Sequence, residues 1–154
     1  MELKELKKRP EFTQNKKLTN AFNQLDNLLI ELNKKELPNN IINTINSEID
    51  QVNSVSQSEK KLKKQLVKAQ NAILKLVEKE LKYVSKSHYR NLWLVLGMAV
   101  FGVPFGAAFG ASTGNMGLLG IGLPIGMVIG MVLGANLDKK AQKEGRQLDL
   151  EIKQ

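Results

Sequence analysis

The residues that could do chemistry in this chain are few and poorly assembled. His88 is the single histidine and cysteine is absent, so thiolate nucleophiles, zinc-thiolate sites and disulfides are all excluded. Glu78 and Glu80 stand two apart in a helical stretch and project to opposite sides, which makes them a poor acid-base pair. The glycine-rich region lacks the Lys-Ser/Thr that completes a phosphate-binding loop. No catalytic residue, metal ligand or cofactor is assigned, and an enzyme is not expected.

What the spacing does offer is a contact chemistry. Gly102, Gly106, Gly110 and Gly114 form one four-residue ladder, and Gly122, Gly126, Gly130 and Gly134 form another. Glycine at every fourth position lets two helix backbones approach closely, which in lipid is a main source of helix association. The flanks repeat as well, with Phe before glycine in the first ladder and Ile or Leu before it in the second. Gly102-Val103-Pro104-Phe105-Gly106 matches Gly122-Leu123-Pro124-Ile125-Gly126 at an offset of 20 residues, so the ladders are two versions of one motif. Pro104 and Pro124 are expected near the middle of the bilayer when the two versions form a hairpin, and are the hinge candidates.

These ladders need long apolar helices to carry them. No ionisable side chain occurs between Arg90 and Asp138, which leaves room for two spans of about 20 residues. Crossings are expected over 91–112 and 118–137, joined by the uncharged turn Thr113-Gly114-Asn115-Met116-Gly117. Tyr89, Arg90 and Trp93 mark the entry to the membrane and Lys139 and Lys140 the return to the same interface, since amphipathic rings and long cationic side chains favour that boundary. Both outer ends are basic and the turn is not, which puts both termini in the cytoplasm of a multi-pass inner-membrane protein.

Residues 1–90 read as a cytoplasmic helical bundle or coiled coil, 91–137 as the transmembrane hairpin and 138–154 as a basic cytoplasmic tail, giving an all-α chain. Leu18, Phe22, Leu25, Leu29 and Leu32 predict a helix from about Thr13 to Glu36, which Pro38 and two asparagines should stop. Ile41, Ile42, Ile45, Ile49 and Val52 predict a second helix. Ser56 with Glu59 fits a capping box for a third, whose stripe runs from Leu62 to Val84 and up to the bilayer. Before Pro10 the pattern suggests a short frayed helix. Leu148, Leu150 and Ile152 alternate with charged residues and suggest a frayed tail, with a short added strand as the lesser alternative.

The repeated Gly-x-x-x-Gly units and the run Leu137-Asp138-Lys139-Lys140-Ala141-Gln142-Lys143-Glu144-Gly145-Arg146 resemble the bacterial glycine-zipper family of small membrane proteins. The likeness covers about the C-terminal third of the chain. It implies membrane insertion and self-association, and it brings no catalytic residues.

The net charge of +8 has to face something acidic. Anionic lipid suits Lys82, Lys86, Arg90, Lys139, Lys140 and Lys143, whereas the cluster at Lys60, Lys61, Lys63, Lys64 and Lys68 lacks interleaved aromatics and is expected to be a solvated helix face, with nucleic acid disfavoured. Ser112, Thr113 and Asn115 are the polar candidates for a pore mouth, but polarity is ordinary in a turn. The leading expectation is a self-associating homo-oligomer that forms a pore or permeability lesion in the membrane. The alternative is a non-conducting anchor or scaffold whose cytoplasmic helices recruit an unidentified protein.

Overall fold

The computed structural model describes residues 2–9, 15–55 and 58–152. It is all-helical, as the periodicities predict, and divides into two compact units: Met1–Val84 with Leu148–Gln154, and Ser85–Gln147. The segment after the last helix therefore does not stay together, because its end belongs with the first unit.

The first unit is built on three helices, α1 (Lys16–Asn33), α2 (Asn39–Asn53) and α3 (Glu59–Leu81), with α1 and α2 both packed on α3. Asn15 caps α1 by accepting the Leu18 N–H at 3.2 Å, and its amide donates to Glu59 at 2.6 Å, which ties the start of α1 to the start of α3. Pro38 precedes α2 in extended geometry (φ −60, ψ 145), as the proline restriction requires. Ser58 caps α3 by accepting the Lys61 N–H at 3.5 Å; Ser56, the expected cap, lies outside the described residues, as do Pro10 and Thr13. Helix α3 ends at Leu81, short of the expected run through Val84, because Lys82 turns left-handed (φ 59). The core takes one stripe from each helix. Leu25, Leu28 and Leu32 of α1, Ile45 and Ile49 of α2, and Leu66, Ile73 and Val77 of α3 are fully buried. Gln70 is also buried and donates to Gln24 at 3.3 Å, a polar contact between α3 and α1.

Two extended segments complete this unit, and neither matches the expectation. Residues 2–9 are not a helix. They lie along α2 with Leu3 and Leu6 buried, and two asparagines of α2 hold the backbone on either side of those leucines. Asn46 accepts from the Lys4 N–H (2.8 Å) and donates to the Glu2 carbonyl (3.1 Å), and Asn53 does the same for Lys7 (2.9 Å) and Glu5 (3.1 Å). Seven residues of helix rise about 10.5 Å and three extended residues span about 10 Å, so the two clamps fit a leucine at every third position. Burying each leucine contributes on the order of 1.5–3 kcal/mol, which outweighs the short charged helix that local propensity would otherwise favour.

The alternating segment after Gly145 is likewise ordered. Leu148 is fully buried and Leu150 nearly so, and Leu148 donates its N–H to the Val84 carbonyl at 2.8 Å. Asp149 donates its N–H to Glu31 at 3.1 Å, and Glu31 also pairs with Lys34, the residue that follows α1. The Lys34 ammonium, with the Asp149 amide behind it, holds the Glu31 carboxyl below the ordinary carboxylate range.

Because that pKa is depressed on folding, the contribution of Glu31 is complete above the ordinary value near 4.5 and is lost as the pH falls through the lowered one. Glu31→Gln should therefore lower stability at pH 7 and flatten the acid limb of the stability profile, read as thermal midpoints from pH 7 to pH 3. An unchanged acid limb would remove Glu31 from the docking of residues 148–152.

Candidate functional site

The second unit is a hairpin. Its first arm is α4 (His88–Gly97), a π turn (Met98–Gly102) and α5 (Val103–Thr113), continuous over 26 residues; the second is α6 (Leu119–Lys143), entered through a 3-10 turn at Met116–Leu118. Both arms are long and apolar enough to cross a membrane, with mean hydropathy 2.0 and 2.2 in their most apolar stretches, of which only 17% is buried in each. A core helix of a water-soluble protein would be mostly buried.

Between Arg90 and Asp138 the buried residues are all glycines. Gly97, Gly102, Gly106 and Gly110 of the first arm and Gly122, Gly126, Gly130 and Gly134 of the second are the positions that turn inward. They interleave. Gly122 sits between Gly102 and Gly106, Gly126 between Gly97 and Gly102, and Gly130 between Trp93 and Gly97, while Gly134 meets the backbone of Tyr89 and Arg90. A Cβ at Gly122 would stand 2.7 Å from the Gly106 Cα, one at Gly126 2.7 Å from the Gly102 Cα, and one at Gly134 2.5 Å from the Arg90 Cα. Side chains never come so close to backbone, so these contacts exist only because the residues are glycine.

Gly114 does not belong to this contact. It is the left-handed residue (φ 67) that closes α5, with nothing within 4 Å of where its Cβ would be; the Asn115 N–H returns to the Gly110 carbonyl at 3.0 Å in a Schellman turn. Gly97 takes the missing place in the row, and sequence spacing hides it because it lies five residues from Gly102. Five residues of α-helix turn about 500°, which would put Gly97 and Gly102 on different faces. The π turn between them, where the Val103 N–H reaches back to Met98, holds one extra residue in its loop and restores the small slip of a four-residue step. Pro104 follows directly, and its missing N–H falls where the α-helical ladder is already interrupted. Pro124 lies inside α6 without such a turn, so the two halves of the repeat differ at their hinge candidates.

The α6 row runs one step further, to Asp138. This residue was expected to mark the return to water, yet it is only 9% exposed. Its carboxylate accepts the N–H groups of Tyr89 and Arg90, both at 3.0 Å. Ser87, the N-cap residue of α4, is left-handed (φ 58) and makes no capping bond with its side chain. Asp138 thus caps α4 from the other arm, supplying negative charge to a helix N-terminus and fixing the two arms in register. Arg90, Lys139 and Lys140 are exposed and Trp93 is half-buried, while the α6 end closes at Gly145 (φ 68) with Arg146 paired to Glu144.

Ser112 and Thr113 donate their hydroxyls to the Phe109 carbonyl at 3.1 and 2.7 Å, and Asn115 accepts from the Gly117 N–H at 3.0 Å. All three serve the turn. No group of His, Cys, Asp or Glu that could hold a metal occurs among the described residues. Comparison with family models, with curated proteins and with solved structures finds no match.

Gly126→Ala should loosen the hairpin by about 1–3 kcal/mol through forced backbone separation, whereas Gly120→Ala, at a position open to its surroundings, should be neutral or stabilising by up to about 1 kcal/mol. Unfolding of the hairpin in detergent, followed by circular dichroism, separates them, and equal effects would count against backbone contact as the cause. Deleting Ala99 should convert the five-residue step to four and remove the π turn while leaving the hairpin packed; the same deletion at Ala107, inside the regular row, should disrupt it. Asp138→Ala should cost about 1–2 kcal/mol through loss of the cap.

Proposed function

We propose that this chain is a membrane anchor: the hairpin 85–147 inserts in a bilayer and tethers the helical unit formed by 2–84 and 148–152, which serves as the recruiting module. One observation carries this reading. The glycine rows face each other within a single hairpin, and large apolar side chains cover its outside, among them Val95, Val100, Phe105, Phe109, Ile121, Val128 and Val132, all 45–60% exposed. An apolar exterior without charge is the surface that lipid covers, and close packing inside leaves no water-lined path between the arms.

Length and charge agree with insertion. Arms of 26 and 28 residues extend about 39 and 42 Å, enough to pass a hydrocarbon core of about 30 Å and bring Arg90 and Lys139 to the headgroups. Residues from both flanks of the hairpin pack in one unit, which supports an even number of crossings. The basic flanks and uncharged turn favour a cytoplasmic face for that unit in a bacterial inner membrane. The same disposition would serve a self-associating pore, but the feature that suggested inter-subunit packing, the glycine rows, is engaged within the hairpin.

Reconstituted into liposomes, the protein should resist carbonate extraction and leave an encapsulated dye in place at every protein-to-lipid ratio. Dye release rising with protein dose would overturn the anchor in favour of a pore. Because the chain has no cysteine, Ser112→Cys and Lys143→Cys report topology cleanly. An impermeant thiol reagent outside the cell membrane should label the first and not the second, and labelling of both or neither would exclude the two-crossing arrangement.

A further inference from the structure

We infer that α2 is a receptor face for an extended, basic segment with leucines three residues apart, and that the segment it takes, besides residues 2–9 of its own chain, is residues 2–9 of a second copy. The contact has the character of a bound ligand. Among the described residues, 2–9 make no backbone–backbone hydrogen bond; their polar backbone groups at Glu2, Lys4, Glu5 and Lys7 are met by the side chains of Asn46 and Asn53. Those amides recognise main chain alone, in the way an added strand is recognised, and the apolar selection is limited to Leu3 and Leu6.

Charge selects the rest. Helix α2 carries Glu48 and Asp50 and no lysine or arginine, in a chain whose net charge is +8, whereas 2–9 carries Lys4, Lys7, Lys8 and Arg9 against Glu2 and Glu5. Lys4 pairs with Asp50 at 2.6 Å, and Arg9 donates to the Asn53 carbonyl at 3.0 Å. By contrast, α3 bears seven lysines and would repel the same segment. The Lys4–Asp50 pair is 53% and 57% exposed, and the asparagine bonds of both clamps lie at the surface, so water competes for these polar contacts and the burial of Leu3 and Leu6 is the main cost of release. A second copy offers identical contacts, and exchange of identical elements loses none of them. Crowding of copies raises the concentration of the incoming segment toward that of the resident one. This exchange takes place in the helical unit and does not depend on the hairpin crossing a bilayer.

The Lys4–Asp50 contact supplies its own assay. Equal amounts of unlabelled and 15N-labelled full chain are incubated together in detergent at high protein density, then treated with a carbodiimide, which joins an amine to a touching carboxylate. Mass spectrometry of the Lys4–Asp50 linked peptides should find mixed light–heavy pairs approaching about half of the total. Asn46→Ala with Asn53→Ala, checked for native helix content, should reduce the Lys4–Asp50 linkage several-fold. Linked peptides of like label alone would overturn the proposal, since the segment would then never leave its own copy. An undiminished linkage in the asparagine variant would overturn the clamps as the means of recognition.

Discussion

Close approach of two helix backbones, permitted by glycine along a whole face, is the constraint on which the hairpin depends. In the bilayer proposed for the hairpin there is no hydrophobic drive to press one apolar helix on another, and the remaining attractions are short-ranged. They count only if the surfaces touch. At Gly122, Gly126, Gly130 and Gly134 the partner backbone lies where a side chain would be, so the two arms meet as surfaces of main chain. Everything bulky is displaced outward as a result, and the apolar exterior is the other side of the same arrangement.

That contact demands register, and two local devices supply it. The π turn at Met98–Gly102 absorbs the one residue by which the first row departs from a four-residue period. Asp138 then ends the second row with a carboxylate that accepts the first two free N–H groups after His88. A capping group borrowed from the facing helix both satisfies polar backbone and forbids the arms to slide, since a slip of one turn would separate the charge from its donors by about 5 Å.

The helical unit is held instead by burial of apolar side chains. Three amphipathic helices bury their leucine and isoleucine stripes against one another, and the core is then extended by two non-helical segments that could not form elements alone. Leu3 and Leu6 come from the segment held on α2, and Leu148 and Leu150 from the segment tied to Glu31 of α1. Asparagine at 46 and 53 makes this possible for the first segment by presenting amides in the positions where a neighbouring strand would offer its backbone. The polar residues of α2 thereby matter as much as its apolar ones.

Periodicity made the helices legible, and composition made the hairpin so. The stripes at Leu18–Leu32, Ile41–Val52 and Leu62–Val77 determined three helices, and the uncharged stretch between Arg90 and Asp138 determined two long apolar arms, because both depend on patterns repeated within a few turns of one chain. Glycine spacing gave seven of the eight ladder positions that face the opposite arm. What it could not give depends on partners distant in sequence. Gly97 joins the row through a π turn that no local spacing announces, and Gly114 leaves it because the chain must reverse there with a positive φ. Asp138 looked like the first charge back in water until an N-terminus 48 residues earlier was set beside it. Residues 2–9 and 148–152 are too short to bury themselves, so their local preferences suggested fraying. Only the tertiary structure decided their conformation, since the energy that orders them lies in a core the rest of the chain builds.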